Sequence, residues 1–123
     1  MNLRSIDAEA LLIAYLDNVG DVATEPAYDS SRLQAALLYP AHIATSGKAD
    51  VAAMTVAYAR GIVEHQPFRD DNTHAALVAM ELFLALNGWA VTAPRDAWEH
   101  IVTRFAQNLC THEELANWLR VNL

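Results

Sequence analysis

The chain has 123 residues, of which 54% are hydrophobic and 19% charged, and a net charge of −7. That length and apolar content suit one domain over residues 1–123 with a real core, and they exclude a disordered chain. The acidic balance, with no Lys/Arg cluster interleaved with aromatics, argues against nucleic acid as a partner, and a single cysteine, Cys110, excludes an internal disulfide framework.

The spacing of apolar residues is helical throughout. Asp7 can cap a first helix through Leu11, Leu12, Tyr15 and Leu16 that ends near Gly20, and residues 21–29 read as a loop. Asp29 to Ser31 offers caps for a second helix through Leu33, Ala36, Leu37 and Leu38, which Pro40 is expected to stop. A linker with Thr45, Ser46 and Gly47 leads to Asp50, which opens a third helix. Val51, Thr55, Tyr58 and Ile62 make one stripe of it, and Val56, Ala59 and Val63 another. A helix apolar on nearly all sides belongs at the centre of a bundle. The stretch from Ala75 to Leu86 has the same character, and Asn87-Gly88 is a good stop for it.

A fifth helix starts near Pro94 and runs through Trp98, Ile101, Val102 and Phe105. The last begins with Thr111-His112-Glu113-Glu114, a capping box, and continues through Leu115, Trp118 and Leu119. Trp89 to Val91 is the one stretch that reads as extended. The expected class is all-α, about six helices. Trp98 and Trp118 read as core, and Cys110, among Val102, Phe105 and Leu109, as a buried thiol. His42, His100 and His112 fall on helix ends or exposed faces and need no function. The acidic start at Asp7 and Glu9, without a small-residue cleavage site, does not read as a signal peptide. The most apolar stretch, broken by Glu81, is too short to span a bilayer, so no membrane contact and a cytoplasmic setting are expected.

Between the two most apolar helices lies Glu64-His65-Gln66-Pro67-Phe68-Arg69-Asp70-Asp71-Asn72-Thr73-His74. A polar, titratable loop is thereby brought to the N-terminus of a buried helix, where unpaired N–H groups and the helix dipole favour an anion. Capping explains one of Asp70, Asp71 and Asn72. It does not explain so many titratable and amide side chains in so short a loop.

Pro67 to His74, followed by Ala75-Ala76-Leu77 and closed by Phe83-Leu84-Ala85-Leu86-Asn87-Gly88, resembles the signature of the Doc (death-on-curing) branch of the Fic fold. Its usual form is H-P-F-x-D-G-N-K-R-T-A, then an apolar helix ending in F-L-x-x-N-G. Asp29 with Leu33, Ala36, Leu37 and Pro40 resembles that branch's second helix, and Glu114 to Arg120 its C-terminal helix. The resemblance implies a helical bundle with the motif loop between the two central helices. It also implies transfer of a phosphate or nucleotidyl group from ATP with Mg2+. Doc proteins are toxins that phosphorylate elongation factor Tu and are neutralised by a Phd-type antitoxin, so those are the partners it implies.

Carried over residue by residue, the resemblance puts Asp70 at the magnesium position and Asn72 in the anion nest. Gln66 stands where the catalytic His belongs, Asp71 at the Gly, Thr73 at the Lys and His74 at the Arg; Arg69 falls on the variable position. Gln66 takes up no proton at neutral pH. A carboxylate about 5 Å from a phosphate oxygen costs roughly 3 kcal/mol at an effective dielectric near 20. The missing Lys and Arg also forfeit charge-assisted and bidentate bonds. Arg69 and Arg95 are the cations near enough in sequence to stand in for them.

Three readings follow: a degenerate Doc with an impaired site; an enzyme of altered chemistry, with His65 and His74 as acid and base and Asp70 and Asp71 holding a cationic group; or a transition-metal site at Asp70, Asp71 and His74. Nothing resembles the S/T-x-x-x-E-G/N inhibitory helix of self-restrained Fic proteins, so inhibition of a toxic form must come from outside.

Overall fold

Five of the six helices begin where a side-chain oxygen accepts a first-turn N–H, a pattern set by local chemistry. In the computed structural model, which describes residues 3–19 and 28–123 (backbone alone for 16–19), these are α1 (Ala8–Val19), α2 (Ser30–Ala44), α3 (Val51–His65), α4 (Asn72–Leu86), α5 (Arg95–Ala106) and α6 (His112–Asn122). Asp7 caps α1 through the Ala10 N–H at 2.8 Å, Asp29 caps α2 through Arg32 at 3.0 Å, and Asp50 caps α3 through Ala53 at 2.9 Å. Asp71 caps α4, and Thr111 caps α6 in a complete capping box with Glu114. Helix α5 starts after Pro94, which has no side-chain oxygen to offer. The expected end of the first helix near Gly20 and most of the 21–29 loop lie outside the described residues.

The all-α expectation holds, as one small domain of six helices with no strand among the described residues. Helix α3 is the hub, packed against α2, α4 and α6; α4 also meets α1 and α5. One apolar cluster runs from Leu11 and Tyr15 through Tyr58, Ile62, Met80 and Phe83 to Val102, Leu115 and Leu119. Trp98 is buried and stacks on half-buried Trp118 at 5.5 Å, its indole N–H donating to Glu81 at 3.0 Å, so both tryptophans belong to the core as expected. Cys110 is buried, and that burial raises its thiol pKa. No helix among the described residues is long and apolar enough to cross a membrane.

Two expectations are corrected. Pro40 does not stop the second helix; it lies inside α2, which continues to Ala44, and it is buried. Proline has no N–H for the Ala36 carbonyl one turn back. That carbonyl faces α3 at Gly61, so closely that a Cβ on Gly61 would fall far inside its van der Waals shell. The Pro40 turn and the bare Gly61 let the two backbones meet, and burial of this seam outweighs the lost helix bond. Trp89 to Val91 forms no strand. The Trp89 N–H instead returns to the Leu84 carbonyl at 2.8 Å and the Thr92 N–H donates to the Asn122 carbonyl at 2.7 Å, so the stretch is tied at its two ends without a ladder.

Asn87 both ends α4 and fastens the N-terminal segment. Its side chain accepts from the Arg4 N–H at 2.6 Å and donates to the Arg4 carbonyl at 2.9 Å and to Phe83 at 2.8 Å. Gly88 follows with φ +81°, the left-handed turn expected after a helix stop.

Candidate functional site

The loop between α3 and α4 is held by one buried amide. Asn72, 8% exposed, accepts the Phe68 N–H at 2.9 Å and donates to the Phe68 carbonyl at 2.9 Å and to Gln66 Oε1 at 3.2 Å. Gln66 in turn donates to the Val63 carbonyl at 2.8 Å. These bonds close the loop on itself around buried Phe68. Its ring stacks on Tyr15 of α1 at 4.6 Å, and Tyr28 pairs with it through an isolated antiparallel bridge. The Asp29 N–H donates to the Pro67 carbonyl at 2.8 Å, so the start of α2 is laced to the loop as well.

The backbone is left-handed at both ends of this loop, with φ +50° at Gln66 and +53° at Asp71. Non-glycine residues hold that conformation at a cost of ~1–3 kcal/mol and only where the surroundings enforce it. At Gln66 the left-handed turn ends α3. At Asp71 it aims the carboxylate back over the first turn of α4, where Oδ1 accepts the His74 N–H at 3.1 Å. The helix N-terminus, open to an outside anion in principle, thus already carries a carboxylate of its own.

Around that helix start lies a cavity of about 200 Å³ whose walls include Asp71, Thr73, His74, Glu99 and Thr103. His74 is half-buried, its ring 5.8 Å from that of Tyr15. Burial, then the Asp71 and Asp70 carboxylates, push the Tyr15 hydroxyl above its ordinary range and keep it a neutral phenol. Asp70 and Arg69 are exposed.

The structure therefore brings Asp71, Thr73 and His74 together and ties Gln66 to Asn72. It does not join His65 to them: His65 is half-buried in the last turn of α3, and no hydrogen bond or ring contact links it to Asp70, Asp71 or His74. Asp70, Asp71 and His74 do not form a three-ligand cluster either, since no group of three His, Cys, Asp or Glu among the described residues could hold a metal ion. An Asp71 turned to cap its own helix is the physical reason. Nor is Arg95 available as a replacement phosphate grip, because its guanidinium is paired with Glu81 and with Glu99, the latter at 2.9 Å.

Four residues of this neighbourhood were not marked by sequence: Tyr15, Tyr28, Glu99 and Thr103. The first reads in sequence as one more apolar position of α1, and the others carry no local signal. Each arrives through tertiary packing. No protein-family model matches the chain, and no curated protein matches it.

Proposed function

We propose that this protein is a Doc-like, Fic-fold toxin-module protein whose motif loop keeps its scaffold and has lost the family's triphosphate chemistry. The observation that carries the reading is Asp71. At the position where the resemblance calls for glycine, the backbone holds the left-handed φ of +53° that glycine adopts freely, although the residue is an aspartate. A conformation suited to the motif, retained against the preference of the residue present, supports descent from a glycine-bearing loop. The altered chemistry rests on the same residue, whose carboxylate sits on the helix N–H that a phosphate would need.

The donor set does not fit a triphosphate held in the family's manner. Thr73 and His74 replace two fixed cations, Gln66 is spent on Asn72, and Arg95 is committed to two glutamates. On this reading Asp70 alone keeps the role of a magnesium ligand. The protein then acts by binding, with a Phd-type antitoxin or the elongation factor that Doc proteins modify as the family-implied partners.

A second reading keeps acid–base chemistry at the same loop, with His74 rather than His65 as the proton-transferring side chain. The observation favouring it is that His74 lines the small cavity beside two threonine hydroxyls and the Asp71 carboxylate.

Calorimetric titration with ATP and Mg2+ tests the main proposal. The native chain is expected to show no micromolar binding. The combined Gln66→His, Asp71→Gly, Thr73→Lys, His74→Arg chain is expected to bind. Micromolar binding by the native chain overturns the lost chemistry; a folded restored chain that still fails to bind overturns the family reading. Growth arrest by the native chain that His74→Ala abolishes would favour the second reading.

A further inference from the structure

A cavity of about 910 Å³ lies on another side of α3, bounded by Arg60, Glu64, Gln66, Cys110 and His112 among others. At its wall the Arg60 guanidinium joins three helices. Its Nε donates to Glu64 at 2.9 Å, its carbon sits 5.2 Å over the Tyr39 ring of α2, and its Nη1 lies 2.8 Å from Nε2 and 3.2 Å from Nδ1 of His112 on α6. The His112 ring also leans on Phe105 of α5, with centroids 5.3 Å apart. At its opposite end α6 is held to α3 by a second tether, Arg120 to Asp50 at 2.8 and 3.1 Å. The two helices are thus pinned at both ends, with Leu115 and Leu119 buried along α6 between the pins.

The two pins differ in kind. Arg120–Asp50 joins opposite charges. Arg60–His112 sets a cation against an imidazole: Nη1, within 3.2 Å of both ring nitrogens, lies over the ring, and protonation would place a second positive charge in contact with the guanidinium. We propose that Arg60 and His112 form an acid-released latch, which holds the start of α6 and the 107–111 connection against α3 only while the imidazole is uncharged, and which loosens that wall of the cavity beside Gln66 on acidification.

The groups facing His112 agree with this. From α3 come the Arg60 cation and Glu64, the latter already bound to Arg60 Nε. From α2 comes Tyr39, behind the guanidinium; α5 supplies the apolar Phe105. Cys110 in the connection is held as the thiol, and Glu113 of α6 lines the same cavity. His112 is also the first residue of α6, where the helix dipole disfavours a cation. Burial, then Arg60, pull the His112 pKa below its ordinary value against the opposing pull of Glu64.

The test follows the His112 ring by NMR and the α6 amides by hydrogen exchange, from about pH 7 to about pH 5, in the native chain and in His112→Gln, which keeps an acceptor but cannot become charged. In the native chain the ring is expected to titrate below the ordinary histidine range. The α6 amides, corrected for intrinsic exchange, are expected to open more often as the pH falls through that titration, because a histidine whose folded pKa is lowered loses folded-state stability on acidification. In His112→Gln the acid-dependent opening is expected to vanish. The latch is overturned if the ring titrates at or above the ordinary range, if α6 opening does not follow that titration, or if His112→Gln opens on acidification like the native chain. Should that variant not fold, the coincidence of the two native titrations decides.

Discussion

Among the helix backbone groups left without a helical partner, two are accommodated in opposite ways. At the α2–α3 seam the Ala36 carbonyl, for which Pro40 has no N–H, is met by the absence of a side chain at Gly61. At the start of α4 the His74 N–H is met by a side chain, the Asp71 carboxylate, held there by a left-handed backbone. The seam is a steric solution with no room to adjust. The loop is an electrostatic one, which a single substitution can reverse. Stability therefore concentrates at the seam, and chemical change is cheapest at the loop.

That contrast can be broken from either side. The largest effect is expected from Gly61→Ala, which forces a methyl into the Ala36 carbonyl; it should cost more than about 3 kcal/mol in urea unfolding or prevent folding. A cost under about 1 kcal/mol would show that α2 yields, and that the seam is not rigid. Next comes Asn72→Ala, which removes three hydrogen bonds and strands the buried Phe68 N–H; about 2–3 kcal/mol is expected in the same measurement.

Smaller effects separate two of the side-chain caps, Thr111 and Asp71. Thr111→Ala at the capping box of α6 should cost roughly 1 kcal/mol. Asp71→Gly loses a comparable cap but relieves left-handed strain, so its thermal midpoint should stay near that of the native chain. A loss from Asp71→Gly as large as that from Thr111→Ala would sink the claim that Asp71 is held against its preference.

The smallest effect belongs to the exposed Arg120–Asp50 tether, whose side chains are 44% and 50% exposed; Arg120→Ala should cost less than about 1 kcal/mol. The hydrogen bond from Arg120 leads the causes that hold Asp50 below the ordinary carboxylate range. A depressed carboxylate adds stability above its unfolded pKa and loses it as pH falls through the folded value. The native chain should therefore lose slightly more stability than Arg120→Ala on acidification below the ordinary carboxylate range.

What sequence alone determined was local in origin. Asp7, Asp29, Asp50 and the Thr111 box start helices because a side-chain oxygen two or three residues before an N–H can always reach it. Asn87-Gly88 ends one for the equivalent reason. The apolar wrap of α3 and α4 likewise placed the Gln66–His74 loop between the central helices, since only a core position buries all sides of a helix. Tertiary structure decided the rest. Pro40 stays inside α2 because a bare glycine on another helix receives the turn it disturbs. Tyr15 reaches the loop only because α1 packs on α4. His112, which needed no role as a helix-end histidine, meets Arg60 across 52 residues of chain. Asp71 could be read as a cap, but its left-handed backbone could not, because that conformation is imposed by the closed loop of Asn72, Phe68 and Gln66 and not by the preference of aspartate.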